Sequence, residues 1–262
     1  MAFYYTNELR NDGFGAQYQT IIFAILYAEE FKKGIFLYTK PNLSHIYENE
    51  AEYIQSIMNI EHKFELVENS NNKHIEIIDI KKSYDTIEPN LNIYLKSKTM
   101  EKIRECFNFN KNCKLYDNNF INVAIHIKRP SLHKNIDIPE HYGNVDIKKI
   151  DIKELPNLTI RHTNDQYYIN IIDMIKKNNN NKPYKFHLFS EGSIEQFDLF
   201  NKLDDIQFHL NEDLLNTYIY MIYADILVTS KSSFSYTAAI LSKNNIIYQP
   251  FWHKPSIDWF IV

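Results

Sequence analysis

Four short stretches of this chain bring charged, hydroxyl-bearing or glycine residues together in patterns suited to holding a phosphorylated ligand. Ser230-Lys231-Ser232-Ser233-Phe234-Ser235 follows an apolar run and opens a helical pattern, so its hydroxyls and the first amides of a helix converge. A helix start of this kind binds phosphate well, because its first amides have no intrahelical acceptor and the helix dipole favours an anion. The same serines also serve as helix caps, and the two roles are compatible. Ser190-Glu191-Gly192 follows the run FHLFS. There Glu191 would accept hydrogen bonds from a ribose or a base and Gly192 would permit close approach, although the triplet also reads as an ordinary strand-to-helix turn.

His126-Ile127-Lys128-Arg129-Pro130 ends the β-branched run INVAIHI, with two cations beside a proline that stops the strand. A departing diphosphate needs such cations. On an extended strand Lys128 and Arg129 point to opposite faces, so only one of them easily reaches the phosphates. Arginine would do so in a bidentate way, lysine as a point charge. Asn11-Asp12-Gly13-Phe14-Gly15-Ala16-Gln17 precedes the first long helical pattern. Two glycines so close together in a chain with only five suggest close backbone approach or a positive φ. As a dinucleotide fingerprint the stretch fails, because Tyr18 stands where the third glycine belongs, and NAD-dependent chemistry is set aside.

These stretches need a scaffold that puts strand ends together, and the second half of the chain supplies one by alternating apolar runs with amphipathic ones. Strands are expected at 121–127, Phe186 to Ser190, Ile206 to Leu210, Asp225 to Thr229 and Asn245 to Gln249. Helices are expected from Asp165 to Lys177, with Tyr168, Ile171, Ile172 and Ile175 on one stripe, from Ile194 to Leu203, and from Ser232 to Leu241. Another runs to about Ala224, with Asn211 as its N-cap and Glu212 and Asp213 favouring the dipole. In Ile194 to Leu203 the inward residues are Ile194, Phe197, Phe200 and Leu203. Such alternation makes a doubly wound domain, whose ligands lie at the carboxyl ends of the strands.

In the first half, Phe3 to Thr6 and Ile35 to Tyr38 read as strands around a helix from about Phe14 to Phe31, with Ile21, Ile22, Ile25 and Ala28 inward. Glu48 to Met58 reads as a second helix and Asn69 to Lys73 as a surface loop. The domain boundary is expected at 108–119, giving domains of 1–115 and 116–262. Pro130 to Pro156 is turn-rich and charged, suited to a lid or an acceptor-binding excursion, and the run Asn178 to Asn181 is a loop.

Bulk properties exclude several classes. The 262 residues, 44% of them hydrophobic, suffice for one large or two small globular domains. A net charge of -4 argues against gripping nucleic acid along its phosphates. Cys106 and Cys113 fit neither a zinc knuckle nor a redox pair and read as reduced thiols of a cytoplasmic protein. The N-terminal residues lack a leader pattern and no apolar run is long enough to span a membrane, so the chain is expected to stay in the cytoplasm. The sequons at Asn42 and Asn157 are then without consequence.

Taken in order, the four stretches resemble the superfamily of α-1,2-, α-1,6- and protein O-fucosyltransferases. Gly13-Phe14-Gly15-Ala16-Gln17 resembles that family's G-x-G-N-Q loop, His126-Ile127-Lys128-Arg129 its H-x-R-R-G-D, and Phe189-Ser190-Glu191 its F-S-D-D. The stretch from Ala224 to Tyr236 resembles A-D-x-x-I-x-S-x-S-S-F-S-W-W and is the most specific of the four. Three departures stand out: Lys128 replaces the family's phosphate-binding arginine, Pro130-Ser131 replaces G-D, and Glu191 replaces Asp.

The resemblance implies an α/β fold of the GT-B type, two facing Rossmann-like domains with parallel sheets. The second domain would bind a GDP-sugar and the first would contribute the Gly-rich loop and acceptor contacts. It implies inverting transfer, most simply of fucose from GDP-fucose to a glycan hydroxyl, with neither metal nor cofactor. Arg129, Lys128 and the Ser232-Ser233 helix start would stabilise the leaving group, and Asp12 is the candidate base. Donor-binding roles fall on Gly13, Phe14, Gly15, Gln17, His126, Ser190, Glu191, Ser232, Ser233, Phe234 and Ser235. A different nucleotide-sugar donor, or a nucleotide- or glycan-binding protein without turnover, remain the alternatives. The many aromatic rings suit sugar stacking or core packing alike. Trp252, His253 and Trp259 would clamp the C-terminus onto the first domain.

Overall fold

The computed structural model describes residues 2–10, 12–40, 55–71, 74–111, 116–129, 163–178 and 181–262. Most of the expected helix from Glu48 to Met58, the excursion from Pro130 to Pro156, both sequons, Cys113 and parts of two expected loops lie outside them. The chain divides into two compact units, Met1–Asn112 with Trp252–Trp259, and Cys113–Phe251 with Phe260–Val262. Both are α/β with wholly parallel sheets, as the alternation of patterns predicts.

In the first unit β1 (Tyr4–Asn7) lies between β2 (Ile35–Leu37) and β3 (Ile75–Ile78). Helix α1 (Phe14–Leu26) crosses from β1 to β2 and ends in a π-helical turn, Tyr27–Phe31. The sequence suggests a helix with one inner face, whereas every residue of α1 except Ala16 is buried. A helix enclosed on all sides has no polar stripe for a periodicity reading to find. Gly34 lets the chain turn into β2, since a Cβ there would lie 2.4 Å from the Tyr5 ring and 2.7 Å from the Phe3 carbonyl. Beyond the expected elements this unit also holds β3, α2 (Ile80–Ile87), the single turn α3 (Leu91–Tyr94) and α4 (Lys98–Asn108). The Asp79 carboxylate caps α2 at the Lys82 amide, 2.8 Å away, and the Ser97 hydroxyl caps α4 at the Met100 amide, 3.0 Å away. In the segment that returns to this unit, the Trp252 indole donates to His253 Nε2 at 2.9 Å, and His253 Nδ1 meets a Glu88 carboxylate oxygen at 3.0 Å. Trp259 and His253 are buried there and Trp252 is half exposed.

The second unit holds β4 (Ile121–His126), β5 (Tyr184–Ser190), β6 (Ile206–Leu210), β7 (Ile226–Val228), β8 (Asn245–Tyr248) and β9 (Phe260–Ile261), ordered β6-β5-β4-β7-β8-β9. This is the doubly wound order in which the chain starts at the centre, builds outward, then crosses back to the other side. Helices α5 (Asp165–Lys176), α6 (Leu214–Tyr223) and α7 (Ser233–Leu241) accompany it. Tyr168, Ile171, Ile172 and Ile175 of α5 pack on Val123, Ile125, Phe186 and Leu188, the inward stripe that the spacing predicts.

Two expectations fail in this unit. Ile194 to Leu203 forms two 3-10 turns, Ile194–Phe197 and Phe200–Lys202, with Phe197 and Phe200 buried but Ile194 exposed. Asn211 does not cap α6; Asp213 does, accepting from the amides of Leu215 and Asn216. The short last strand β9 was also missed, because two residues carry no pattern. Across the sheet Asn122, His187, His209 and Glu212 form a polar string with contacts of 3.3, 3.1 and 2.7 Å. Burial, with His209 and Lys185 nearby, pushes His187 down to about 3, so its imidazole is neutral.

Candidate functional site

The switch point of the six-stranded sheet lies between β4 and β7, where the strand order reverses, the place at which open α/β sheets generally bind ligands. His126, the last residue of β4, meets Ser230, two residues past β7, with Nδ1 2.7 Å from the hydroxyl. The imidazole is buried, and desolvation with help from the charge of Lys128 pushes it down to about 3. It is therefore a neutral hydrogen-bonding group at physiological pH and not a cation. The Phe234 ring lies edge-on to it at 5.5 Å and tilts over Tyr218 at 5.2 Å, which fixes the plane of the imidazole.

Ser230 leads into the start of α7 through a tight turn. The Ser232 hydroxyl accepts from the Phe234 amide at 3.3 Å, so the capping role is realised, and Ser232 and Ser233 are both partly exposed beside it. Ser235 is fully buried and closes the turn: its hydroxyl accepts from the Ser230 amide at 3.1 Å and reaches the carbonyls of Ser230 and Ser232 at 3.3 Å. A hydroxyl so engaged holds the shape of the loop and does not present itself to a ligand. The structure thus separates two serines at the surface, Ser232 and Ser233, from one in the interior.

Lys128 and Arg129 part company as strand alternation requires. Lys128 stays at the carboxyl edge, partly exposed, with its ammonium 3.7 Å from the Glu191 carboxylate at the end of β5. Arg129 turns inward: its guanidinium is paired with Asp165 of α5 at 2.8 Å, donates to the Gln196 carbonyl at 3.2 Å and stacks over Phe197 at 4.6 Å. Its side chain is only 6% exposed, so the carboxylate that Arg129 engages in this structure is that of Asp165. Asp165 gave no signal in the sequence beyond its place in the first turn of a helix. Ser190 spends its hydroxyl on the Ile127 carbonyl at 2.8 Å, which leaves Glu191 as the outward member of its turn.

In the first unit the residues of the Gly-rich stretch also lie after a strand, beyond the carboxyl end of β1. Gly13 has φ -65 and extended backbone, and Gly15 is inside α1, so neither takes the positive φ that the sequence suggested. A Cβ on Gly13 would meet nothing within 4 Å. Phe14 packs against Tyr18 with ring centroids 5.6 Å apart, and Gln17 is buried with its amide donating to the Asp12 carbonyl at 2.7 Å. Asp12 accepts from the Gly13 amide at 2.8 Å and pairs with Arg10 at 2.8 Å.

Among the described residues no group of three or more His, Cys, Asp or Glu side chains is placed to hold a metal ion. No described helix is long and apolar enough to cross a membrane.

No protein-family model matches the chain. No curated protein matches it in sequence. Among solved structures it is similar to the α-1,6-fucosyltransferase NodZ co-crystallised with GDP, with a TM-score of 0.45 and 11% identity over 92% of this chain and 93% of that one. A structure of NodZ from Bradyrhizobium is similar with a TM-score of 0.43 and 11% identity, covering 92% and 94%. The E. coli heptosyltransferase WaaC with ADP is similar with a TM-score of 0.49 and 9% identity, covering 98% and 92%.

Proposed function

We propose that this protein is an inverting glycosyltransferase that moves a sugar, in the first instance fucose from GDP-fucose, to a glycan hydroxyl. The reading rests above all on the group at the β4–β7 switch point, where neutral His126 bonded to Ser230 stands beside the start of α7, with Lys128 at the same edge. It gains from the order in which the four motifs follow one another along the chain.

In this reading the diphosphate lies over Ser232 and Ser233 at the start of α7, where the helix dipole offsets negative charge. Lys128 exchanges Glu191 for a phosphate oxygen and acts as a point charge on the leaving group. An acceptor hydroxyl attacks the anomeric carbon from the face opposite the diphosphate as the glycosidic C–O bond breaks, and its proton passes to a base or to water. Asp12 is the candidate base, held by Arg10. Arg129, committed to Asp165, supports the segment that carries Lys128 and does not touch the donor. No metal enters this scheme.

One observation favours the alternative of nucleotide binding without turnover: at the carboxyl edge a lysine occupies the position of the family's phosphate-binding arginine. The deciding experiment is calorimetry with GDP, UDP, ADP and GDP-fucose, followed by transfer assays over a glycan panel with and without chelator. Micromolar binding of GDP and transfer that survives the chelator are expected. Binding without transfer favours the alternative, and tighter binding of UDP or ADP changes the donor.

A further inference from the structure

Asn211 lies outside all four motifs, yet three hydrogen bonds join it to the turn that carries Glu191. Its amide donates to the Ser190 carbonyl at 3.0 Å. Its side-chain oxygen accepts from the Gly192 amide at 2.9 Å, and its side-chain nitrogen donates to the Gly192 carbonyl at 2.7 Å. The side-chain amide thus bonds Gly192 as a peptide group would, adding a rung to the β5–β6 ladder just past Leu210. Asn211 sits at φ 54, a left-handed conformation that asparagine tolerates better than most residues.

The turn is restrained from its other sides as well. Gly192 has φ 115, and a Cβ on it would fall 2.0 Å from Gln196 Oε1, which is itself bonded to the Ser193 amide at 3.1 Å. The Ser190 hydroxyl ties the start of the turn to Ile127. Between these fixed neighbours the Glu191 side chain is 63% exposed. Glu191 directly follows β5, the second strand of the doubly wound order, where in dinucleotide-binding folds an acidic residue faces the ribose.

We propose that Asn211 is a positioning residue that fixes the turn at 190–192 so that the Glu191 carboxylate accepts hydrogen bonds from the ribose hydroxyls of a nucleoside diphosphate. This rests on the nucleotide-sugar reading above. The test compares calorimetric binding of GDP and 2′,3′-dideoxy-GDP to wild type, Asn211→Gly, Glu191→Ala and the double variant, with thermal melts as a check on folding. Glycine keeps the left-handed backbone and removes only the clasp. Wild type is expected to prefer GDP by about tenfold, the scale of a hydrogen bond to a charged group. Each single variant should bring that preference close to one, and the double variant should lose nothing more, since both act through one contact. Gly192→Ala, which disturbs the turn from its other side, should behave like Asn211→Gly. An unchanged preference in Asn211→Gly, or losses that add in the double variant, would overturn the proposal. Wild type that binds both nucleotides equally also overturns it while leaving the nucleotide-sugar reading intact, whereas no binding of GDP removes the GDP-donor reading and this proposal with it.

Discussion

At the carboxyl edge of the three-stranded sheet, Asn7 and Thr39 exchange hydrogen bonds of 2.9 and 3.0 Å, and the Thr6 and Thr39 hydroxyls meet at 2.7 Å. At the same edge of the six-stranded sheet, Lys128, Glu191, Ser232 and Ser233 are partly or largely exposed. The first sheet spends its polar end groups on holding two loops together, while the second leaves part of its set turned to solvent. The difference follows from sheet size. A three-stranded sheet has few neighbouring strands to brace its loops, so side chains bridge them. In the second unit Arg129 and Ser235, both buried at the edge, and the clasp between Asn211 and Gly192 do the bracing, and Lys128, Glu191, Ser232 and Ser233 stay turned to solvent.

That contrast is broken most directly at Arg129. Arg129→Ala strips Asp165 and Phe197 of their partner and should lower unfolding free energy by about 3 kcal/mol, read by urea titration. A loss under 1 kcal/mol would mean that the guanidinium is not committed inward. A second effect concerns acid. His126 and His187 are both held at about 3 in the folded chain, below the unfolded value of about 6.5. The unfolded chain then takes up protons that the folded one refuses. Stability is complete above about pH 6.5 and falls towards pH 3, with each group contributing up to about 1.4 kcal/mol per pH unit. His126→Asn should remove one share of that slope in melts between pH 4 and 7, and an unchanged slope would show that His126 is not buried neutral.

Lys128→Ala sharpens the comparison from the other side. Its pair with Glu191 is exposed, so stability should shift by no more than about 0.5 kcal/mol. GDP affinity should nevertheless fall about tenfold in calorimetry, because a charge-assisted contact to phosphate is lost. Full affinity in this variant would separate Lys128 from the phosphates. The smallest effect is expected at Asn7→Ala, which should cost about 1 kcal/mol in stability while leaving GDP affinity unchanged. A weakened nucleotide would show that the first edge is not merely bracing.

The architecture of the second unit was legible because its strands are short apolar runs and α5 keeps a clear stripe. Ile194 to Leu203 misled because its apolar spacing suits a helix, yet the capping box at Ser193 and Gln196 opens only a 3-10 turn, and a second 3-10 turn follows at Phe200. In the first unit α1 was found but its burial was not, and β3 was lost because Glu76 and Ile77 are exposed on an edge strand and alternate poorly. Asn211 suits a cap by residue type, but its left-handed backbone rules that role out.

The sequence by itself determined that both halves are α/β, that serines follow one strand and two cations another, and that those cations face opposite ways, since strand geometry leaves no choice. It did not determine which cation faces the edge. That was decided by Asp165, Gln196 and Phe197, which come from 36 to 68 residues along the chain and cover one face of the segment after β4, drawing the guanidinium in and leaving Lys128 beside Glu191. Likewise His126 and Ser230 are 104 residues apart. Only the crossing of the chain at the sheet's centre sets them 2.7 Å from one another.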